Sequence, residues 1–472
     1  MPQPKQASYK LMGLFQKLSQ SFIHPLLLWR AGELDRLRFL REFEKSQFLS
    51  PEGVRELQRE RLQAVIQHAA QNTPFYKERF SRHGLAPDSA DDVFEQLKSL
   101  PPLTKSEIQK SCTEMISDGL DRATLIKNQT GGSTGEPIQF YLDKSRYEAR
   151  MAAMLRHDGW AGMKVGDRMA CIWGAPQDKP SNRLFARLRR RLLGKRLWLD
   201  TADITETKMR DFCESLKKFR PRTILAYANA ILMFARFCED NNLVPFQPHS
   251  IITSAEVLTA ESRKTIERVF GCPVFNRYGC REFSIVATEC EHHDGLHIMA
   301  EGLYLEIDEK TKTDDGSGDI LVTDLLNFAM PMIRYRIGDR GKLDSSPCKC
   351  GRGLPRIQSI DGRVTDFILG ETGQFVSGVF LATYLVAQRP SLGRVQIVQE
   401  EAGQALFRLK PTSKSSRQED FSYVVQTAKE YLGKGAAIDV EVVDEFETTV
   451  SGKIQFSISR ALPDFAAVNA DR

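Results

Sequence analysis

The sequence predicts an α/β protein with largely buried sheets, on three observations. From Leu125 onward, short β-type runs alternate with helical stretches, the texture of sheets covered by helices. Ahead of them, Leu34, Leu37, Leu40, Phe43 and then Leu57, Leu62, Val65 and Ile66 recur at helical spacing between about Gly32 and Ala70. The 472 residues are 41% hydrophobic and 27% charged, an ordinary globular balance in a chain long enough for a large core.

Taken in order, Ser50-Pro51-Glu52-Gly53 reads as a helix start, since serine can cap and proline suits the first turn. Strands are expected over Ile138 to Leu142, Arg168 to Trp173, Ile251 to Thr253, Pro273 to Asn276, Tyr304 to Ile307 and Asp319 to Thr323. Helices are expected over Arg210 to Phe219, Asn229 to Asp240 and Ala260 to Phe270. After about Asp361 a shorter unit begins, with strands at Val395 to Val398, Leu406 to Leu409 and Ala437 to Val443 and a helix near Phe421 to Leu432.

The charge balance excludes little but demands no nucleic acid: 66 Lys+Arg against 61 Asp+Glu leaves +5. Seven of those cations, Arg183, Arg187, Arg189, Arg190, Arg191, Lys195 and Arg196, lie together without an acid between them. Their interleaved leucines suggest a basic amphipathic segment, either a solvated flank or a peripheral contact with an anionic membrane surface or phosphorylated ligand. Nine cysteines and no apolar leader at the N-terminus point to a reducing, cytoplasmic setting. No apolar run approaches the roughly 20 residues that span a bilayer.

The most informative segment is Thr130-Gly131-Gly132-Ser133-Thr134-Gly135-Glu136-Pro137. Its glycines let backbone amides approach an anion and its hydroxyls add donors, which suits a polyphosphate. A Walker loop is excluded, because no Gly-Lys in the chain is followed by Ser or Thr. Gly131 to Gly135 also fits Gly-x-Ser-x-Gly, but a hydrolase elbow needs strand, turn and helix, whereas β-type Ile138 to Leu142 follows here. A serine nucleophile is therefore disfavoured. Alone, such a loop is often just a turn.

Its company changes that. Downstream, in order, come Thr253-Ser254-Ala255-Glu256, Asn276-Arg277-Tyr278-Gly279-Cys280-Arg281-Glu282, Met332-Ile333-Arg334-Tyr335-Arg336-Ile337-Gly338-Asp339, Asp361-Gly362-Arg363 and Ser451-Gly452-Lys453-Ile454. With this ordered set the chain resembles the acyl-adenylate-forming superfamily. More narrowly, it looks like the phenylacetate-CoA ligase and capsular-polysaccharide (CapK-like) branch, over roughly Leu125 to Arg460.

The resemblance implies an adenylate-forming fold, with a large multi-sheet N-terminal domain and a small α+β C-terminal lid. The expected divisions are a helical region 1–120, a core 121–364 and a lid 365–472. It implies that Thr130, Gly131, Gly132, Ser133, Thr134 and Gly135 cradle the β- and γ-phosphates of ATP, and that Glu282 holds magnesium. Tyr278 would stack on adenine, with Ser254, Ala255, Glu256, Asn276 and Arg277 lining the base pocket. Asp339 would accept the ribose hydroxyls, Arg363 would lie near the ribose or α-phosphate, and Lys453 would bring a cation to the reacting carboxylate. An acyl pocket is expected around Trp160, Trp173 and Tyr227 to Asn229. Three positions depart from the family pattern: Glu136 where many relatives have lysine, Arg281 before the glutamate, and Thr365 at the hinge.

The expected reaction is carboxylate plus ATP giving acyl-AMP and pyrophosphate, followed by acyl transfer to the thiol of CoA. Transfer to an amine is the alternative, and a nucleotide-binding scaffold without catalysis is a third reading.

A second constellation joins Cys290-Glu291-His292-His293-Asp294-Gly295-Leu296-His297 to Cys348-Lys349-Cys350-Gly351. Thiolates with imidazole favour tetrahedral zinc, and Gly351 frees the backbone to wrap an ion. Cys290, His297, Cys348 and Cys350 are the preferred ligands, with His292 or His293 as substitutes. A closed set of four makes the metal structural, and unliganded thiols are the alternative.

Overall fold

The computed structural model describes residues 22–89, 91–129, 138–173, 195–201, 206–363, 367–372, 375–411, 417–447 and 456–461. The chain divides into two compact units, one of Met1–Asp308, Leu321–Arg336 and Lys342–Ser359, the other of Glu309–Ile320, Ile337–Gly341 and Ile360–Arg472.

The first unit opens with helices α1 (His24–Ala31), α2 (Asp35–Ser46), α3 (Pro51–Asn72), α4 (Pro74–His83), α5 (Val93–Ser99) and α6 (Lys105–Ser111). The helical stretch read as beginning near Gly32 is broken at residues 47–50. Ser50 Oγ there accepts from the Gly53 amide and Pro51 occupies the first turn, so a new helix starts where its capping chemistry predicts. A capping box, in which Thr104 and Glu107 satisfy each other's backbone amides, starts α6.

Strands β1 (Ile126–Gln129) and β2 (Gln139–Leu142) pair antiparallel, so the glycine-rich segment joins two strands and no helix follows it directly. Then come α7 (Lys144–Trp160), β3 (Met169–Ile172), β4 (Arg196–Leu199), α8 (Glu206–Phe219), β5 (Thr223–Tyr227), α9 (Ala228–Asp240), β6 (Ser250–Ser254), α10 (Ala260–Phe270), β7 (Val274–Cys280), β8 (Ser284–Glu289) and β9 (Leu296–Ile298). Seven strands of an eleven-stranded sheet run in the order β9-β8-β7-β6-β5-β3-β4. The stretch from β4 through β7 is parallel, and β8 and β9 are antiparallel to their neighbours. Parallel neighbours need crossovers, and α8, α9 and α10 supply amphipathic ones. Leu216, Ile224, Ile231, Phe234, Ile251, Ile266 and Phe270 form one buried cluster beneath them, each side chain contributing roughly 1.5–3 kcal/mol of burial. The remaining strands of this part of the chain are β10 (Leu303–Ile307), β11 (Gly318–Asp324), β12 (Tyr335–Asp344) and β13 (Arg356–Arg363).

One helix breaks the amphipathic expectation. The buried side of α7 is largely charged, carrying Arg146, Glu148, Arg150, Arg156 and Asp158. Partners from distant segments meet most of them: Arg36 Nε donates to Glu148 at 2.9 Å, Arg146 Nε to Asp324 at 2.8 Å, and Arg156 Nη2 to Glu301 at 3.1 Å. Pairing of this kind offsets much of the cost of burying an ion.

The second unit contains the hairpin β14 (Phe367–Leu369) and β15 (Phe375–Ser377), α11 (Gly378–Gln388), β16 (Arg394–Gln399), β17 (Gln404–Lys410), α12 (Arg417–Leu432), β18 (Ala437–Val442) and β19 (Ser457–Ser459). Its four-stranded sheet runs β18-β17-β16-β19. Leu381, Leu385, Ile397, Phe407, Leu409, Val424 and Leu432 close its own core. Among the described residues no helix is long and apolar enough to cross a membrane. Of the basic segment, residues 183–194 lie outside the described set, and Arg196 begins β4.

Candidate functional site

In an open parallel sheet, ligands bind outside the carboxyl ends of the strands, where crossovers leave backbone groups and loop side chains exposed. Here β3, β5 and β6 end at or beside Trp173, Tyr227 and Ser254, and β7 carries Tyr278 two residues before its end at Cys280. Trp173 and Tyr227 stack with ring centroids 4.1 Å apart, and Tyr227 is in register with Ser254, which is in register with Arg277. The adjoining backbone is unusual: Ala255 has φ of 69° and Ser284 of 66°, left-handed conformations that cost non-glycine residues energy and cluster at functional sites.

The pleat sorts the β7 residues. Asn276 and Tyr278 lie on one face and are partly exposed, whereas Arg277 faces the other way and is buried. The Arg277 guanidinium donates to Asp158 on α7. The sequence expectation grouped Arg277 with the base-pocket residues; in the fold it ties the end of β7 to a helix.

Gly279 permits the next step. A Cβ at this position would lie 2.4 Å from the Ser284 carbonyl oxygen, so only glycine lets β7 and β8 approach this closely. The register shifts between Tyr278 and Gly279, and the tight turn places Glu282 at its corner. Glu282 is 9% exposed, and Tyr335 Oη donates to its Oε1 at 3.3 Å. Arg150 Nη2 donates to the Glu282 carbonyl. Neither Tyr335 nor Arg150 was singled out for this role in the sequence.

Asp339 lies in β12 and is 8% exposed. The backbone of Arg363 ends β13, and its side chain is outside the described set. Thr130 to Gly135 and Lys453 also lie outside the described residues. A carboxylate such as Glu282 is the hard oxygen ligand that magnesium takes, so the donor present fits that ion.

At the other end of β8 the second constellation closes. Cys290, His297, Cys348 and Cys350 bring their ligand atoms within 4.8 Å of one another. Cys290 Sγ and Cys348 Sγ are 3.8 Å apart, and Cys350 Sγ is 3.3 Å from His297 Nε2. Four ligands placed tetrahedrally at the zinc–sulfur bond length would put sulfurs about 3.8 Å apart. The His297 Nδ1–H donates to the Leu354 carbonyl at 3.1 Å, which leaves Nε2 as the free lone pair. Two turns wrap the site: the His293 amide donates to the Cys290 carbonyl and the Gly351 amide to the Cys348 carbonyl. Gly351 takes φ of 79°, as its place in the knuckle requires.

Burial pushes the Cys290 thiol up to about 12 and holds His297 down to about 4. Burial would also raise Cys350, but the Arg352 amide and guanidinium bring it below its ordinary value. A cation entering this set must therefore displace thiol protons. The proposed substitutes do not join the cluster. His293 turns to Glu289, 3.0 Å away, and His292 is exposed. Trp160 packs here as well: its Nε1 donates to Gln47, and its ring meets His297 edge-on at 5.7 Å and the Arg352 guanidinium at 4.5 Å.

Comparison with known proteins places this geometry in a family. A family model described as the CapK C-terminal domain matches residues 368–460. Protein CapK of Staphylococcus aureus is 26% identical over 413 residues, covering 86% of this chain and 89% of CapK. Phenylacetate-coenzyme A ligase of Pseudomonas putida is 26% identical over 332 residues, covering 68% and 73%. A crystal structure of 2-hydroxyisobutyryl-CoA ligase in the postadenylation state, in complex with R3-HIB-AMP, superposes with a TM-score of 0.70 at 19% identity, covering 90% of this chain and 93% of that one. The sequence motifs, the α/β fold with its C-terminal unit and these comparisons agree: residues 368–460 match the CapK C-terminal domain, and the chain is similar to CapK and the phenylacetate-CoA ligases, which fits the acyl-adenylate-forming superfamily.

Proposed function

We propose that this protein is an ATP-dependent AMP-forming acid ligase. A carboxylate oxygen attacks the α-phosphorus of ATP, the bond to the β-phosphate breaks, and acyl-AMP and pyrophosphate result. The thiol of CoA then attacks the acyl carbon and AMP leaves, giving a thioester. The observation that carries this reading is the gathering of Tyr227, Ser254, Asn276 and Tyr278 at the carboxyl ends of neighbouring parallel strands, with Glu282 on the adjoining turn.

Both substrates are anionic, so the protein's task is to neutralise and orient them. In this reading Thr130 to Gly135 bind the β- and γ-phosphates. Tyr278 and Asn276, on one face of β7, meet the base beside Ser254, Ala255 and Glu256. Asp339 takes the ribose hydroxyls, with Arg363 nearby. Arg277 shapes the pocket by anchoring the strand end. Glu282 holds magnesium, which supplies charge neutralisation at the phosphates when bound. Residues from 365 onward act as a lid that carries Lys453 to the reacting carboxylate. The stacked Trp173 and Tyr227 offer an apolar wall for an aromatic or medium-sized acid. Cys290, His297, Cys348 and Cys350 hold zinc in a structural role, since all four positions are filled by protein.

The test is acid-dependent exchange of pyrophosphate into ATP across a panel of carboxylic acids, comparing wild type with Lys453→Ala. Activity in the wild type that collapses in the variant is expected; equal activity in both overturns the mechanism. Mass spectrometry of the product formed with CoA or with amines then assigns the acceptor, and an amide without thioester would replace the CoA step.

A further inference from the structure

Helix α7 buries three arginines with different company. Arg146 and Arg156 each meet a buried carboxylate, Asp324 and Glu301 respectively. Arg150, one turn beyond Arg146, is 5% exposed, yet among the described residues no carboxylate lies within ion-pair distance of it. Its Nη2 donates to the Glu282 carbonyl, its Nη1 reaches the Arg281 carbonyl at 3.5 Å, and its Nε has no hydrogen-bond partner among the described residues. The Phe140 ring lies 5.8 Å from its guanidinium carbon.

Burial, and then the like charge of Arg146, bring the Arg150 guanidinium down to about 9, so it remains a cation at neutral pH. Asp324 and Glu282 act on this buried cation only from beyond ion-pair distance, and a purely structural role would be filled as well by an apolar side chain. What Arg150 grips is informative. Its two terminal nitrogens address the consecutive carbonyls of 281 and 282, while Tyr335 Oη holds Glu282 Oε1 from the side chain's end. The residue at the turn corner is thus fixed at both its backbone and its carboxylate.

We propose that Arg150 and Tyr335 are positioning residues for Glu282, a clamp that aims its carboxylate at the divalent cation of Mg·ATP. The proposal rests on reading Glu282 as the cation-holding carboxylate. It differs from that reading in assigning the aim of the carboxylate to a helix and a strand distant in sequence.

Calorimetric binding of ATP with and without magnesium tests it, on wild type, Arg150→Met, Arg150→Lys and Tyr335→Phe. A thermal melt of each variant accompanies the titration. Outer partners of a metal ligand typically contribute 10–100-fold in metal affinity. Arg150→Met is expected to raise the magnesium concentration giving half-maximal ATP binding by about tenfold, Tyr335→Phe by about threefold, and Arg150→Lys to restore part of the loss. Magnesium-free ATP binding is expected to change much less. Folded variants with an unchanged magnesium requirement overturn the clamp. If Arg150→Met does not fold, Arg150→Lys and Tyr335→Phe decide by the same criterion. Wild type that binds no Mg·ATP overturns the adenylation reading and the clamp together, whereas wild-type binding with indifferent variants overturns the clamp alone.

Discussion

The two ends of β8 hold two chemically opposite arrangements. Before its first residue stands Glu282, on a strained turn among polar groups at the carboxyl ends of parallel strands. Just after its last stands Cys290, sealed with Cys348, Cys350 and His297. Six residues of strand, roughly 20 Å, separate them. At the first end, carboxylate, tyrosine and backbone groups are held in place by hydrogen bonds from Tyr335 and Arg150. At the second, four ligand atoms face one another and leave no position for substrate. On the proposed function, the first end serves chemistry and the second holds the fold together, so substitutions should separate them.

The largest expected effect is at the open end. Lys453→Ala and Glu282→Gln should each lower acid-dependent pyrophosphate exchange by about 10²-fold or more, while the melting temperature moves by no more than about 2 °C. A large fall in melting temperature for Glu282→Gln would blur the contrast between the ends. Next comes the closed end. Cys350→Ser, or prolonged chelation, should abolish stoichiometric zinc in elemental analysis and lower the melting temperature by about 5 °C or more. The remaining folded enzyme should keep its KM for ATP. Purified protein without zinc would remove the staple from the account.

A third change probes the boundary between the two roles. Arg277→Met leaves Asp158 buried without its partner and should destabilise the fold by about 3 kcal/mol in denaturant titration. If Arg277 instead contacts the base directly, KM for ATP rises and stability holds. The smallest effect is expected at Ala255. Glycine there relieves a left-handed alanine, so Ala255→Gly should stabilise by about 1 kcal/mol or less. Activity should fall by no more than about threefold as the strand end loosens; unchanged stability would mean that this φ carries no strain.

Much of this was legible because it is local. Ser50 caps a helix that begins where its side chain reaches the third amide onward. The glycine-rich segment does join strand to strand, and Cys348-x-Cys350-Gly351 does wrap toward Cys290 and His297. In each case the required partner lies within a few residues or is demanded by a distinctive side chain. Arg277 was harder. The resemblance grouped it with the base-pocket residues, but the two-residue period of a strand sends Arg277 to the face opposite Asn276 and Tyr278. That Trp160 packs against His297 and Arg352 could not be read from the sequence, because those partners lie 137 and 192 residues away.

By itself, then, the sequence determined the α/β class, the ordered motifs of the superfamily and the four-residue Cys/His set, because composition, periodicity and motif order are properties of the chain alone. Tertiary structure decided the rest. It put the charged side of α7 in the interior, since Arg36, Glu301 and Asp324 arrive there from 112, 145 and 178 residues away. It also set Tyr335 and Arg150 against Glu282. A buried charge needs partners brought to it, whether carboxylates or backbone carbonyls, and no local pattern records which distant segment will bring them.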